Sequence, residues 1–519
     1  MTLESESRFH VRTDLLIVMG SVLMAFLPVL WTPFTPIDDY SMLRNNPAYA
    51  SPSLQGFIQQ LTTPQFNIYA PLTYAIWYLI GAATWSQDGL PVIGFKIASW
   101  LAHAATAAAG WWAIRQFVPA RLPALAGGLI IGLHPIMVES VAWTTGLKDL
   151  LCATFTFAAV AMYARSIHAT SRPKRARRWA IAFSILAILA KPTAVVLPAM
   201  LLAIDLACRS APWPRRLIWL WPFLPAAGAM SLIMLNVQHA TDVPRIPIEL
   251  RPLVVGDTLA FYISKIALPI HLAIDYARTP QLIQTTGQLF FTWLLPAGVV
   301  VFVLWTRSRI AILSLGLFSI PILPVSGLIT FDMQQFSTVA DHYAQPAMLG
   351  IGLLVAYAID RQRRIGWIIA PGLVVLAWVS ITRQMLWQTP VHLYEQSLRV
   401  APNSTLARGA LASLAFGRND PQTVERLMRE IMTIRPSVVA HDNLAQSLLI
   451  QNRLTEAAIH AKKALAFRSD KVSAARARQW LQLGQQINDP ELIRLAAAHW
   501  AMMDPDNPAP QGYLRPIAP

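Results

Sequence analysis

The sequence predicts an all-α protein: a polytopic bundle of about eleven transmembrane helices followed by a water-soluble helical repeat. Three observations predict it. Apolar runs follow one another from residue 14 to about residue 382, several of them long enough to cross a bilayer core at roughly 20 residues each. Charge is scarce: 13% of the 519 residues are charged, against roughly a quarter in a soluble domain, and 55% are hydrophobic. From Val391 onward the composition turns polar, and a turn containing proline or its equivalent recurs about every 34 residues. These features divide the chain into a membrane domain over 1–388 and a repeat domain over 389–519.

The formal net charge is +15, which raises the question of a nucleic-acid partner. Its distribution answers it. The basic residues gather in short gaps between apolar runs: Arg8 and Arg12; Arg115 and Arg121; Arg165 with Arg172, Lys174, Arg175, Arg177 and Arg178; Arg209, Arg215 and Arg216; Arg307 and Arg309; Arg361, Arg363 and Arg364. That is the positive-inside pattern, so these gaps and the N-terminus belong on the cytoplasmic side. Cys152 and Cys208, both in or beside apolar runs, do not suggest a disulfide framework. The first run, Leu15 to Leu30, lacks a small-x-small cleavage site and continues into Trp31-Thr32-Pro33-Phe34, which reads as an uncleaved span.

Charge then orders the spans. The first, about 14–33, leads outward into a long loop, about 34–88, whose only basic residue is Arg44. The second, about 90–114, returns to Arg115 and Arg121. The third and fourth form a hairpin around an outer loop, His134 to Asp149; the fifth and sixth flank Lys191-Pro192; the seventh, about 217–236, leads outward. The run 290–305 ends at Arg307 and Arg309 and must travel inward. The stretch Gly256–Leu272, short and carrying Lys265, Pro269 and His271, is therefore expected to be an interfacial or re-entrant helix on the outer side. Three more spans follow, at about 310–329, 345–360 and 365–382. An odd total puts the repeat domain on the side opposite the N-terminus, outside the cytoplasm.

In that domain the turns are Arg399-Val-Ala-Pro402-Asn403, Ile434-Arg435-Pro436-Ser437, Phe467-Arg468-Ser469-Asp470 and Met503-Asp504-Pro505-Asp506. The helices ahead of them, such as Tyr394–Leu398 and Ala457–Leu465, place small residues (Ala445, Ala457, Ala464) where paired helices must come close. Period, turn and helix pattern are those of the tetratricopeptide (TPR) repeat. Such units stack because none buries its apolar face alone, and the stack binds a peptide or protein or serves as a rigid cap. Asn403-Ser404-Thr405 matches a glycosylation sequon and reads as incidental.

Ionisable residues beside or within a bilayer are costly and mark function. Asp38-Asp39 follows the first span: adjacent carboxylates can serve as base or metal ligand, while Pro36-Ile37-Asp38-Asp39 is equally good chemistry for a solvated turn, and the residues leave both readings open. His134, Glu139, Lys148 and Asp149 gather in one outer hairpin. Lys191 lies between two apolar runs, and Asp341-His342-Tyr343 opens the run at 345. Lys265 and Arg278 are further cations on that side. A lone lysine at a membrane boundary usually snorkels; several cations facing a pair of carboxylates suggest a phosphate site beside a base.

Taken in order, these blocks resemble the bacterial relatives of the transmembrane-and-TPR O-mannosyltransferases, members of the GT-C class of membrane glycosyltransferases. Asp38-Asp39 with Asn46-Pro47 resembles a first-loop DD…NP signature, and Tyr69-Ala70-Pro71-Leu72-Thr73 an HPLT-type element. His103 resembles a histidine of the second span. His134-Pro135…Val138-Glu139-Ser140-Val141-Ala142-Trp143…Lys148-Asp149-Leu150-Leu151 is the most specific match. Ala190-Lys191-Pro192 with Leu197-Pro198 and Asp205, then Tyr262, Lys265 and Pro269, then Ala340-Asp341-His342-Tyr343, and the passage from Trp387 through Tyr394 complete it. The chain departs from the pattern at Ala70, Leu147 and His342, where the family often carries His or Arg, Arg, and Arg; those changes bear on phosphate contacts and the donor.

The resemblance implies a GT-C-like fold and transfer of a sugar, mannose in the namesake family, from a polyprenyl-phosphate donor to an acceptor hydroxyl on protein Ser or Thr. The reaction would proceed with inversion at the extracytoplasmic face of a bacterial inner membrane. It implies Asp38 and Asp39 as the catalytic carboxylates, with one the base and the other its support. His134, Glu139, Lys148, Asp149, Lys191, Lys265, Asp341, His342 and Tyr343 would line the substrate site. Lys148, Lys191, Lys265 and His342 are the candidates for the phosphate. No cofactor is required; a divalent metal on Asp38 and Asp39 is an option, since some GT-C enzymes use one. The partners would be the lipid-linked donor, membrane lipid and an acceptor protein held by the repeats, with no nucleic acid. Two alternatives stand beside this: an oligosaccharyltransferase or an enzyme modifying a glycan or lipid, and a membrane-anchored scaffold without catalysis.

Overall fold

A computed structural model describes residues 3–36, 38–168, 173–208, 212–238, 246–467, 469 and 471–514. Ile37, Arg172, Arg209, Arg468 and Asp470, and the side chain of Arg8, lie outside what is described. The described residues form helices joined by turns and short irregular segments, with two isolated β-bridges, Gln65 to Ile68 and Ser86 to Gly89. The chain divides into two compact units, Met1–Leu393 and Tyr394–Pro519.

Among the described residues of the first unit, four helices are long and apolar enough to cross a membrane: Thr144–Ile167, Trp213–Val237, Gln288–Trp305 and Arg363–Trp387. A fifth is counted if Arg121–Leu133 and Pro135–Ala142, bent by 44°, are one broken span. Helices of this length and composition make the unit an integral membrane protein. They are fewer than the roughly eleven crossings expected from apolar runs, and the difference has local causes. Pro192, Pro321 and Pro324 cut apolar runs into short pieces, because proline removes a helix hydrogen bond and clashes with the preceding turn. What remains there are the shorter apolar helices Pro192–Cys208 and Arg309–Val325. The helix Ile93–Ile114 is unbroken but is rich in alanine and carries Lys96 and His103.

Burial sorts the long helices. In the most apolar 18-residue stretch of each, 67% of Thr144–Ile167 is inside the protein against 6% of Arg363–Trp387, so the former is the central helix and the latter lies at the periphery. The central helix packs against both Ile93–Ile114 and Pro173–Ala190. The helices Arg121–Leu133 and Met348–Arg361 meet at two glycines: a Cβ on Gly127 would lie 2.5 Å from the Gly352 carbonyl oxygen, and one on Gly352 2.7 Å from that of Gly127. The stretch expected as an outer interfacial helix falls in a helix over Arg251–Ala267, followed by an irregular strap through Thr279.

Among the described residues of the second unit, the end of the Pro390–Val400 helix is followed by three successive helical hairpins, Thr405–Gly417 with Pro421–Ile434, Val438–Ile450 with Leu454–Ala466, and Ala474–Gln486 with Pro490–Met503, and then by a 3₁₀ turn over Ala509–Tyr513. Within each hairpin the turn is closed by an asparagine in the left-handed conformation, Asn419 (φ 56°), Asn452 (φ 59°) and Asn488 (φ 53°), the non-glycine residue that tolerates it best. The turns containing Pro402 and Pro436, by contrast, precede the first helices of hairpins. Ser404, Asp420, Ser437, Ser473 and Asp489 cap the N-termini of five of the six helices through their side-chain oxygens. Alanines 445, 457 and 464 are fully buried in the unit's core, beside Leu444, Leu448 and Trp480.

Candidate functional site

The two first-loop carboxylates have different environments. Asp39 begins a short π-helical turn, Asp39–Arg44, and is fully buried. One carboxylate oxygen accepts from the backbone N–H and the hydroxyl of Thr35, both at 3.0 Å; the other accepts from the backbone N–H of Thr145, also at 3.0 Å. Asp39 thereby ties the first loop to the second. Asp38 is 27% exposed, and its carboxylate lies 3.9 Å from the Lys148 ammonium. Burial pushes its pKa above the ordinary carboxylate value, Lys148 pulls it back, and the neighbouring Asp39 raises it again.

The second loop is a chain of short turns, and its breaks are written in the sequence. Pro135 opens a 3₁₀ turn after His134, the helix Val138–Ala142 follows, and a second 3₁₀ turn over Thr144–Gly146 leads into Leu147–His168. Gly146 is required: a Cβ there would lie 2.4 Å from the Ser140 carbonyl oxygen. His134 accepts the Ile136 N–H on Nδ1 (3.2 Å) and so donates from Nε2 to the Ile266 carbonyl (3.0 Å). It fastens the loop to the Arg251–Ala267 helix rather than facing a ligand. Lys96, buried in the Ile93–Ile114 helix, donates from its ammonium to the Ala142 carbonyl and fastens the loop to that helix.

The third piece is Lys191, which closes the Pro173–Ala190 helix. It forms a buried ion pair with Asp149, and its ammonium lies 5.2 Å from the centre of the Tyr343 ring. Just before it, the Ala190 carbonyl accepts from the Thr73 hydroxyl at 2.9 Å, joining two of the motif segments. The fourth is Asp341-His342-Tyr343. Asp341 is held by the Tyr276 hydroxyl (2.6 Å) and by Arg383 (2.9 Å), and Arg383 also donates to the Leu272 carbonyl (2.7 Å). Tyr262 shares hydrogen bonds with the backbone N–H and carbonyl of Ala340 (3.2 and 3.0 Å). His342 meets Glu139 through Nδ1 at 2.5 Å.

These pieces converge. The Trp143 ring lies 5.3 Å from the Lys148 ammonium and 5.4 Å from the His342 ring, and Tyr343 packs on His342 at 4.2 Å. Lys148, Trp143, His342, Tyr343, Lys191 and Asp149 thus form one continuous chain of contacts, with Asp38 at its open end. Beside Lys191 a narrow crevice, with room for about one water, is lined by Asp149, Cys152, Thr193 and Tyr343 together with apolar side chains. Glu139 Oε2, Asp149 Oδ2 and both polar ends of the Gln345 side chain are buried without a hydrogen-bond partner in the protein, which is where a polar ligand would be satisfied. Among the described residues no group of three or more His, Cys, Asp or Glu side chains is disposed to hold a metal ion. Asp39 already accepts three hydrogen bonds, so Asp38 is the more open carboxylate of the pair.

Lys265 does not join the cationic chain. Its ammonium donates to the carbonyls of Ile270 (3.0 Å) and His271 (3.1 Å) and lies over the Tyr276 ring (5.5 Å), so it clasps the strap that follows its own helix. Arg278 is likewise engaged, in a two-pronged pair with Asp257 (2.8 and 2.5 Å). Sequence reasoning missed Lys96, Tyr276, Arg383 and the Thr35 and Thr145 contacts. Lys96 and Arg383 carried a readable signal, a cation within an apolar run; Tyr276 and the threonines carried none.

No family model matches the chain, and no curated protein matches it. Among solved structures, ArnT from Cupriavidus metallidurans bound to undecaprenyl phosphate aligns over 89% of this chain and 80% of its own, at 15% identity and a TM-score of 0.38. A superposition that loose says nothing about chemistry.

Proposed function

We propose that this chain is a membrane glycosyltransferase of the GT-C class. It would transfer a sugar, with mannose the first candidate, from a polyprenyl-phosphate donor to an acceptor hydroxyl on protein Ser or Thr, at the extracytoplasmic face of a bacterial inner membrane. The observation that carries the reading is the pairing of a half-open carboxylate, Asp38, with Lys148 at 3.9 Å, at the end of a chain that continues to His342 and Lys191. The motif resemblance supports it independently.

The chemistry needs a base and an anion cradle. Asp38 takes the acceptor hydroxyl's proton as its oxygen bonds to the anomeric carbon, and the bond from that carbon to the lipid phosphate breaks with its electron pair going to the phosphate. Attack from the face opposite the leaving group inverts the anomeric configuration. Lys148, Lys191 and His342 stabilise the departing phosphate. Asp39 holds the loop bearing Asp38 and does not itself react. A phosphate on a lipid sits at headgroup level, which suits a site at the ends of membrane helices. The helical hairpins of Tyr394–Pro519 are read as TPR-like and recruit the acceptor protein.

The test is transfer of label from polyprenyl-phosphate mannose to an acceptor protein by the purified chain, with mass analysis of the product. Asp38→Asn is expected to lower transfer by about 10²- to 10⁴-fold, the usual worth of a general base. Undiminished transfer in Asp38→Asn, Asp39→Asn and the double variant sinks the reading of the aspartates.

A further inference from the structure

Glu139 and His342 come from elements far apart in the chain and are both buried, at 0% and 7% exposure. Nδ1 and Oε1 approach to 2.5 Å. Two lone pairs at that distance would repel, so a proton lies between them. The charged groups facing the pair are Lys148 and Lys191, Asp149 and Asp341, and Arg383, with Tyr343 packed on the ring. Each of these cations has its own carboxylate: Lys148 has Asp38, Lys191 has Asp149, and Arg383 has Asp341. The surroundings are close to balanced, so the pair is cheapest to bury when it too is neutral. A neutral pair holds two protons on the imidazole and carboxyl together: one shared with Glu139 and one on Nε2, at the ring's far edge. Which atom owns the shared proton does not matter; in either form Nε2 is a donor.

Ring contacts put the imidazole between the two lysines along the chain of contacts. Trp143 links the imidazole to Lys148, and Tyr343 links it to Lys191. An anion set between the two ammonium groups would find a third donor there that adds no net charge. We propose that Glu139 and His342 act as one unit, in which Glu139 keeps the imidazole in its Nε2–H form and Nε2–H binds the lipid phosphate between Lys148 and Lys191. This rests on the reaction proposed above and adds to it a positioning residue, Glu139, and a role for a carboxyl that performs no base catalysis.

The experiment uses the full chain in lipid nanodiscs, with a long-chain polyprenyl phosphate as probe. Binding and sugar transfer are measured for the wild type, His342→Phe, Glu139→Leu and Glu139→Gln. The histidine ¹⁵N spectrum of the wild type is recorded with and without the probe, His342 being assigned by its loss in the variant. His342→Phe and Glu139→Leu are expected to weaken probe binding by about ten- to hundredfold, the worth of a hydrogen bond to a charged group. Glu139→Gln should hold the loss within about threefold, because a side-chain amide can donate to Nδ1 and preserve the Nε2–H form. The probe should shift the His342 Nε2 signal. If the wild type transfers sugar but His342→Phe binds the probe as tightly as the wild type, this proposal falls and the proposed function stands. If the wild type neither binds the probe nor transfers sugar, both fall. Should a variant fail to fold, the wild-type spectrum decides, and an Nε2 signal unmoved by saturating probe overturns the assignment.

Discussion

The two adjacent aspartates are alike in sequence and unlike in structure, and that difference is testable at the level of single side chains. Asp39 accepts hydrogen bonds from Thr35 and Thr145, and replacing it by Asn turns an amide NH₂ toward one of these donors. The expected result is a loss of about 1–3 kcal/mol of stability, seen as a lower melting temperature, whatever happens to activity. Asp38→Asn should leave the melting temperature near the wild type and remove transfer, so the two variants separate scaffold from base. The pH profile gives a second handle. A base must be ionised, and the pKa of Asp38 is raised by burial, lowered by Lys148 and raised by Asp39. Activity should therefore fall as pH drops through a value above the ordinary carboxylate range. Lys148→Met removes the lowering influence, so the acid limb of its normalised profile should move to higher pH. A limb that stays in place or moves down would show that Asp38 does not titrate in the rate-limiting step.

The hairpin between His134 and Asp149 is the element on which the site depends, and its geometry comes from breaks in helicity. Gly146 lets the chain pass the Ser140 carbonyl two residues before Lys148. Gly146→Ala forces backbone against backbone, and a cost of about 1–3 kcal/mol is expected, with transfer reduced as Lys148 shifts. Gly298→Ala, inside the Leu294–Trp305 helix, is the control: nothing lies within 4 Å of a Cβ there, so it should lower neither stability nor transfer. The sequence shows this element well because each end is marked: proline and histidine open it, and a lysine-aspartate step closes it just before an apolar run. It shows the supports poorly. Arg383 and Tyr276 hold Asp341 from segments whose local patterns say nothing about that partner. Lys265 looks in sequence like any other outer cation, and only the position of the Ile270 and His271 carbonyls reveals that it clasps its own strap. The repeats are more legible: the period, the buried alanines and even the hairpin-closing asparagines, which return at Asn419, Asn452 and Asn488, can all be read along the chain, and only the left-handed conformation of those asparagines needs the structure.

At the scale of the whole molecule, sidedness is the property on which the proposed function depends most and which apolar runs predict least directly, because proline-broken runs leave room for more than one count of crossings. The charge pattern makes a definite prediction all the same. It predicts that the basic gaps face the cytoplasm and that the loop bearing Asp38 and the Tyr394–Pro519 unit are both outside it. The chain suits a cysteine-labelling test, since it has only two cysteines, Cys152, which is buried, and Cys208. With Cys208→Ser as background, single cysteines replace exposed residues at Gln59 in the first loop, Arg175 in the largest basic gap, and Ala475 in the third hairpin. In intact spheroplasts a membrane-impermeant maleimide is expected to label Gln59→Cys and Ala475→Cys at once, and Arg175→Cys only after the membrane is opened. Labelling of Gln59→Cys without Ala475→Cys would put the hairpins and the carboxylate loop on opposite faces. Acceptor recruitment by the repeats would then be impossible, whatever the fate of the catalytic assignment.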